Sequence, residues 1–238
     1  NMCGIFACKP VVKTWLKNST EKQYERGPDQ SAHYIIGDMG VAVNRLAITG
    51  SLEEGAQPIF SKSKKSLCVF NGAIYNTEIL IKKFSLDPKS TNDAAVALEL
   101  FELVGKSFLD HLEGMFSIIV IDIKTNSMLV ARDVLGIKPL YYAKHQETHV
   151  FASSLKAIPA DFLPYAKPFP PGLVWIDDNF SYEINPQVRQ NKNLEQVLIS
   201  AIESHIPKEV AWGCSLSGGV DSSVICALAK DLGYTFNC

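Results

Sequence analysis

Phe116-Ser-Ile-Ile-Val-Ile-Asp-Ile-Lys-Thr-Asn-Ser-Met-Leu-Val-Ala131 holds two apolar runs, 116–123 and 127–131, joined through the polar segment Asp122-Ile-Lys-Thr-Asn-Ser127. The polar segment predicts a hairpin loop and its flanks predict antiparallel strands. Working outward, short strands are expected at 4–8, 33–36, 41–48, 66–70, 139–143, 150–152 and 174–176. Each is rich in Val, Ile, Phe or Tyr and punctuated by Gly, Pro or polar residues. Residues 93–104 carry apolar side chains at 96, 97, 100, 101 and 104, a 3.6-residue period that predicts a helix. Asn92 or Asp93 is suited to cap it, because a short side-chain oxygen accepts from a free first-turn N–H. A shorter helix is expected at 76–83. Antiparallel strands with helices grouped outside them give an α+β class.

The 238 residues are 47% hydrophobic and 20% charged, enough apolar side chain to bury a core. At roughly 150 residues per domain, the length suggests one large domain, or one domain and part of a second. A formal charge of −2 argues against a chain held to nucleic acid by bulk electrostatics. No apolar run approaches the ~18 to 20 residues needed to span a bilayer. The first twenty residues lack the basic and apolar regions of a signal peptide. The six cysteines show no CxxC spacing, which argues against zinc and against a disulfide framework. A reducing, cytoplasmic location is expected.

The pattern changes near Asn185. Residues 194–205 form an amphipathic pattern that Pro207 ends. An apolar strand at 210–216, a Gly/Ser turn, a helix at 221–232 and the start of a strand at 234–238 follow. This is the opening βα unit of an α/β domain. One such unit cannot bury its own sheet face, so the full protein is expected to continue past Cys238. The expected domains are 1–188 and 189–238.

The chemistry-bearing segments occur in order. They are Met2-Cys3-Gly4-Ile5, Arg26-Gly27-Pro28-Asp29, Asn44-Arg45-Leu46-Ala47-Ile48, Gln57-Pro58, Phe70-Asn71-Gly72-Ala73-Ile74-Tyr75-Asn76, and 131–142. Phe151-Ala-Ser-Ser-Leu-Lys-Ala157, Phe169-Pro-Pro-Gly172 and Leu216-Ser217-Gly218-Gly219-Val220-Asp221-Ser222-Ser223 complete the set. Taken alone, Cys3 reads as one more inert thiol and Asn71-Gly72 as an ordinary hairpin turn. Together, the segments resemble the class II glutamine amidotransferases. The later ones extend the likeness toward glutamine-dependent asparagine synthetases.

The resemblance implies an αββα N-terminal-nucleophile sandwich of two antiparallel sheets, followed by the first βα unit of an ATP-pyrophosphatase domain. It puts the nucleophile on Cys3 and the oxyanion donors on the Asn71 side-chain N–H and the Gly72 backbone N–H. It assigns the substrate glutamine's α-carboxylate to Arg45 and its α-ammonium to Asp93, with Ile48 and Thr49 lining the substrate. The family often carries Glu where this chain has Ala73. Arg26 and Asp29 read as turn residues near the pocket, and 132–142 as packing and interdomain contact.

Downstream, Leu216, Ser217, Gly218, Gly219, Asp221, Ser222 and Ser223 match the family's ATP loop. Glycines there let backbone N–H groups approach phosphate, and Asp221 is a candidate for Mg²⁺. The order differs from GxxxxGK[ST], so this is not a P-loop. The implied partners are glutamine, ATP, aspartate as acceptor, and a second copy of the chain in a homodimer, with no nucleic acid and no membrane. The glutaminase step itself needs no cofactor. Competing expectations are another carboxylate acceptor, or a non-catalytic module that binds glutamine.

His145-Gln-Glu-Thr-His149 lacks the zincin Glu and falls between strands, so no metal role is assigned to it. The SKSKKS segment at 61–66 reads as a solvated hairpin tip. Asn1 and Met2 precede Cys3, and Asn1 is expected to be a remnant of cloning or processing. While both remain, Cys3 has no free α-amine. Chains that keep Asn1-Met2 are therefore expected to release little ammonia from glutamine. Intact mass and an ammonia assay on one preparation check this; full activity from unprocessed chains contradicts it.

Overall fold

The computed structural model describes residues 2–48, 53, 55–186, 193–206 and 211–237. The chain divides into two compact units, Asn1–Ala47 with Ser51–Pro186, and Ile48–Gly50 with Gln187–Cys238. The boundary expected between residues 188 and 189 lies outside the described residues.

In the first unit, in chain order, β1 is Gly4–Lys9, α1 Lys13–Lys22, β2 Gln30–Ile36, β3 Met39–Arg45, β4 Ile59–Phe60, β5 Ser66–Ile74, α2 Thr77–Phe84 and α3 Asp93–Val104. Then come β6 Gly114–Asp122, β7 Ser127–Arg132, β8 Tyr141–His145, β9 Thr148–Ala152, β10 Lys167–Pro168, β11 Leu173–Ile176 and β12 Asn179–Glu183. They make two six-stranded sheets, ordered β10-β8-β9-β1-β3-β2 and β12-β11-β7-β6-β5-β4. Every pairing within them is antiparallel. The hairpin expected around Asp122–Ser127 is β6–β7, closing at Asp122↔Ser127.

The period-2 geometry of a strand explains why β1 and β3 are buried along their length. Ile5 and Ala7 of β1 and Val41 and Val43 of β3 face Val69, Ile119, Val130 and Trp175 of the other sheet. Their neighbours Phe6, Cys8 and Ala42 point the other way, under Leu16 and Trp15 of α1. On the far side of the second sheet, Cys68, Phe70, Ile118 and Val120 pack against Ala94, Ala97 and Leu98 of α3. Each sheet is thus covered on both faces, and the layers run α-β-β-α.

Some expected boundaries move. The strand expected at 41–48 starts earlier and ends at Arg45, because the Asp29 carboxylate takes the Ala47 N–H at 2.8 Å and bends the chain out of the ladder. The strand expected at 139–143 lies at Tyr141–His145, because residues 133–138 are wrapped around Asp133. Asn92, not Asp93, is the N-cap of α3, accepting from Ala94 N at 3.1 Å. His145 and His149 belong to the β8–β9 hairpin, and no cluster of potential metal ligands occurs among the described residues. Among the described residues, no helix is long and apolar enough to cross a membrane.

In the second unit α4 is Leu194–His205 and α5 is Val220–Asp231. Of the strand expected at 210–216, the described residues 211–216 form no strand. Among its described residues a single parallel bridge, Gly213↔Asn237, links it to the segment before Cys238. A strand needs a ladder partner, and Asn237 alone supplies one there.

Asp133 is the polar anchor of the first unit. Its buried carboxylate accepts from the backbone N–H groups of Phe116 (3.2 Å), Leu135 (3.2 Å), Ile137 (2.9 Å) and Lys138 (3.0 Å). Hydrogen bonds to a charged acceptor are the strong ones, and a buried donor left without its acceptor is costly. Asp133→Ala is expected to lower unfolding stability by about 3 kcal/mol or more, with Asp133→Asn losing less. Urea unfolding of the three chains checks this; equal midpoints contradict it.

Candidate active site

Cys3 lies immediately before β1. The register Gly4↔Asn44, continued by one residue, sets Cys3 against Arg45 at the end of β3. Leu46 N–H donates to the Cys3 sulfur at 3.4 Å, and the thiol lies 3.8 Å from Leu46 O. Arg26 Nε donates to Cys3 O at 3.1 Å, while Met2 N–H donates to Arg26 O at 3.1 Å. Arg26 therefore fixes the backbone on both sides of the thiol. Asp29 does the same for the facing segment, giving its N–H to Arg45 O at 3.1 Å and taking that of Ala47. Both turn residues keep the structural role expected of them.

Three charged side chains act on this sulfur. Burial pushes the Cys3 thiol up from its ordinary value; the Leu46 N–H, Arg45 and Lys138 pull it down, and Asp93 adds to the rise. Arg45 is buried, and its guanidinium fills the space above Gly55, where a Cβ would stand 2.0 Å from Nη2. Lys138 is also buried, with Nζ 3.3 Å from Met2 Sδ, and burial pulls its ammonium below the usual lysine value.

Sequence reading left Lys138 in a packing segment. Its signal was the Arg132-Asp133 pair before it. Arg132 donates to the carbonyls of Lys138 (2.7 Å), Phe169 (2.8 Å) and Gly136 (2.6 Å), and with Asp133 it sets the loop that aims Lys138 inward.

Asn71 and Gly72 lie on β5, not in a turn. The odd-numbered residues of β5 bond to β6, as Tyr75 N→Glu113 O (2.7 Å) and Ile123 N→Lys65 O (2.8 Å) continue at either end. The even-numbered N–H groups therefore point to the opposite edge, which β4 covers only at Leu67 and Cys68. There Phe70 N–H goes to Gln57 Oε1 at 2.7 Å and Ile74 N–H to Asp93 Oδ2 at 3.1 Å. Gly72 N–H lies on the same edge between them. A Cβ on Gly72 would meet Met115 O at 2.3 Å, so the close approach of β6 requires glycine here.

Asn71 is 2% exposed, and its Nδ2 is a buried donor without a hydrogen-bond partner among the described residues. Such a group is costly unless something else occupies it. Asn71 stands opposite Ser117, whose hydroxyl lies 3.3 Å from both Lys138 O and Pro139 O, so the β5 edge and the Lys138 loop belong to one locality.

Asp93 opens α3 and accepts from Ile74 N–H and from Ala94 N–H (2.9 Å). Burial raises its carboxyl to about 6, against the pull of those N–H groups and of Arg45. Ala73, where the resemblance leads one to expect Glu, directly precedes Ile74, whose N–H Asp93 accepts. Ile48 is exposed, and Thr49 lies outside the described residues.

In the second unit, Gly219 is the N-cap of α5 and Gly218 has φ +81° with open space around it. Ser217 Oγ lies 3.0 Å from Ser222 Oγ, and Ser223 Oγ donates to Gly219 O at 2.8 Å. Leu216 is exposed, as is Asp221 in the first turn of α5.

A four-layer sandwich with a cysteine at the head of a central strand is the architecture of an amidotransferase domain, and comparison with known proteins agrees. Residues 2–168 match the family model described as glutamine amidotransferase domain, and residues 193–235 match that of asparagine synthase. The chain belongs to the glutamine amidotransferase domain family. It is 33% identical to the Escherichia coli (strain K12) asparagine synthetase B [glutamine-hydrolyzing] and 32% identical to the Zea mays asparagine synthetase [glutamine-hydrolyzing]. Each match covers 96% of this chain but only 45% and 42% of the relative, so the chain spans less than half their length. Among solved structures, the glutamine phosphoribosylpyrophosphate amidotransferase from B. subtilis superposes with a TM-score of 0.63 at 16% identity. That match covers 99% of this chain and 65% of that one, and it shows a shared fold.

The raised Asp93 value has a consequence for stability. The folded carboxyl titrates near 6 and an unfolded one near 3.8, so the fold holds this proton more tightly. The benefit is complete below about pH 4 and is lost as pH rises through about 6. Relative to Asp93→Asn, the wild-type chain is expected to lose about 2–3 kcal/mol between pH 4 and pH 7. Urea unfolding of both chains at the two pH values checks this; pH profiles that run parallel contradict it.

Proposed function

We propose that this chain hydrolyses glutamine at Cys3 and that the full protein spends the ammonia on an ATP-dependent amidation of aspartate to asparagine. The observation that carries the first half is the buried Nδ2 of Asn71, which has no hydrogen-bond partner among the described residues, on the strand whose next residue turns its N–H away from β6. An anion forming there would find both donors already in place.

The reaction requires loss of Asn1-Met2, which gives Cys3 a free α-amine. That amine, acting through a water molecule, takes the thiol proton. The sulfur attacks the side-chain amide carbon of glutamine and the carbonyl oxygen becomes an oxyanion, held by Asn71 Nδ2 and Gly72 N–H. Collapse expels ammonia, protonated on leaving by the same amine, and leaves a thioester. Water attacks the thioester, glutamate departs and the thiol is restored. Arg45, with its planar pair of donors, takes the substrate's α-carboxylate. Asp93 takes the α-ammonium, and the cation offsets the cost of ionising a buried carboxyl.

The loop in the second unit suits a pyrophosphate. Gly218 is in the left-handed region, the hydroxyls of Ser217, Ser222 and Ser223 surround the turn, and α5 begins at Gly219. Leu216, Ser217, Gly218, Gly219, Ser222 and Ser223 would hold ATP, and Asp221 would hold Mg²⁺. When bound, ATP supplies the activation of the acceptor carboxylate. The scattered cysteines, without CxxC spacing, support a reducing, cytoplasmic setting.

Processed chain with a Cys3 amino terminus should convert glutamine to glutamate and ammonia. Asn71→Ala should lower kcat by roughly 10²–10³ with little change in KM, the loss of one oxyanion donor. Arg45→Ala should act mainly on KM. Far-ultraviolet circular dichroism of each variant checks the fold. Turnover that survives Asn71→Ala unchanged contradicts the assignment.

A further inference from the structure

The candidate phosphate loop is bracketed by two thiols. Cys214 lies three residues before Ser217, and its backbone is pinned by the bridge at Gly213 and by its own N–H, which donates to Asn237 O at 2.8 Å. Cys226 lies on α5, whose helical ladder fixes its position. The Cys226 thiol points at the Cys214 sulfur at 2.9 Å. Both residues are half-buried, and neither is held in a disulfide. Two sulfurs already in contact need only a small adjustment to reach the ~2.05 Å of a disulfide. The ring so closed would contain all of Ser217–Ser223.

We propose that Cys214 and Cys226 form an oxidation-sensitive dithiol, and that its disulfide restrains the loop between them. The oxidant is a small disulfide such as oxidised glutathione. One protein thiolate attacks a glutathione sulfur, forming a mixed disulfide and expelling a glutathione thiolate. The second protein thiolate then attacks the protein sulfur of that mixed disulfide and expels the second glutathione. The two protein thiols give up two protons and two electrons, and the oxidised glutathione becomes two reduced ones. Cys3 plays no part in this step.

Trypsin cleaves after Lys208 and Lys230, so both cysteines fall on one peptide, 209–230. The full chain is equilibrated in reduced and oxidised glutathione mixtures, quenched with an alkylating reagent, digested and weighed. At the oxidising end this peptide should be lighter by two hydrogens and carry neither alkyl group nor glutathione. Cys214→Ser and Cys226→Ser should each leave the other cysteine alkylated or glutathionylated. A wild-type peptide that keeps two alkyl groups, or carries two separate glutathiones, overturns the pairing. Backbone hydrogen exchange of residues 215–223 should slow on oxidation of the wild-type chain and not of either variant. Equal exchange in oxidised and reduced wild-type chains overturns the restraint.

Discussion

Antiparallel pairing of β1 with β3, from Gly4↔Asn44 to Cys8↔Gly40, is the constraint on which the site depends. A strand has only two faces and one register that buries its apolar side correctly, so this pairing is not free to slip. Because Ile5 and Ala7 must face the other sheet, Cys3 must arrive opposite Arg45, with its sulfur at the Leu46 N–H. The core that closes the sandwich thereby positions the thiol. Gly27 belongs to the same constraint, since a Cβ there would lie 2.5 Å from Asn44 O and from Arg45 C.

The electrostatics of the site follow from that placement. Burial alone works against a thiolate at Cys3 and against ionised Asp93, and it weakens the charge on Lys138 and Arg26. Charged groups are tolerated in such a place when each has a partner. Arg45 and Asp93 act on each other, and on the sulfur with opposite signs. A small zwitterion carrying a carboxylate and an ammonium complements such a pair, which is why a free amino acid fits the proposed reaction better than a peptide does.

Much of the fold was legible because burial writes itself into composition. The β6–β7 hairpin and α3 were readable from apolar runs and a 3.6-residue period. Helix α1, KTWLKNSTEK, was not, because its inner face is one Leu, one Trp and a Ser whose hydroxyl turns back to Leu16 O. Strand β12 was missed for a similar reason: it is a mostly exposed edge strand reached through the tight turn at Asp177-Asp178, both at positive φ. At the site, Cys3, Arg45, Asn71, Gly72 and Asp93 were named through the resemblance of whole segments, since no short spacing joins residues so far apart in the chain. Asn71-Gly72 shows the limit of local reading. The dipeptide suggests a hairpin turn, yet tertiary pairing holds it in mid-strand. Lys138 escaped because its approach to Cys3 is set by Arg132 and Asp133, contacts that periodicity does not encode.

The most direct test of the nucleophile is a glutamine analogue with an electrophilic diazoketone in place of the side-chain amide, applied to chain processed to begin at Cys3. The account predicts one covalent adduct per chain, mapped to Cys3, abolished by Cys3→Ala and slowed by excess glutamine. An unmodified Cys3 in folded, processed chain, or an adduct on any other cysteine in its place, would contradict it.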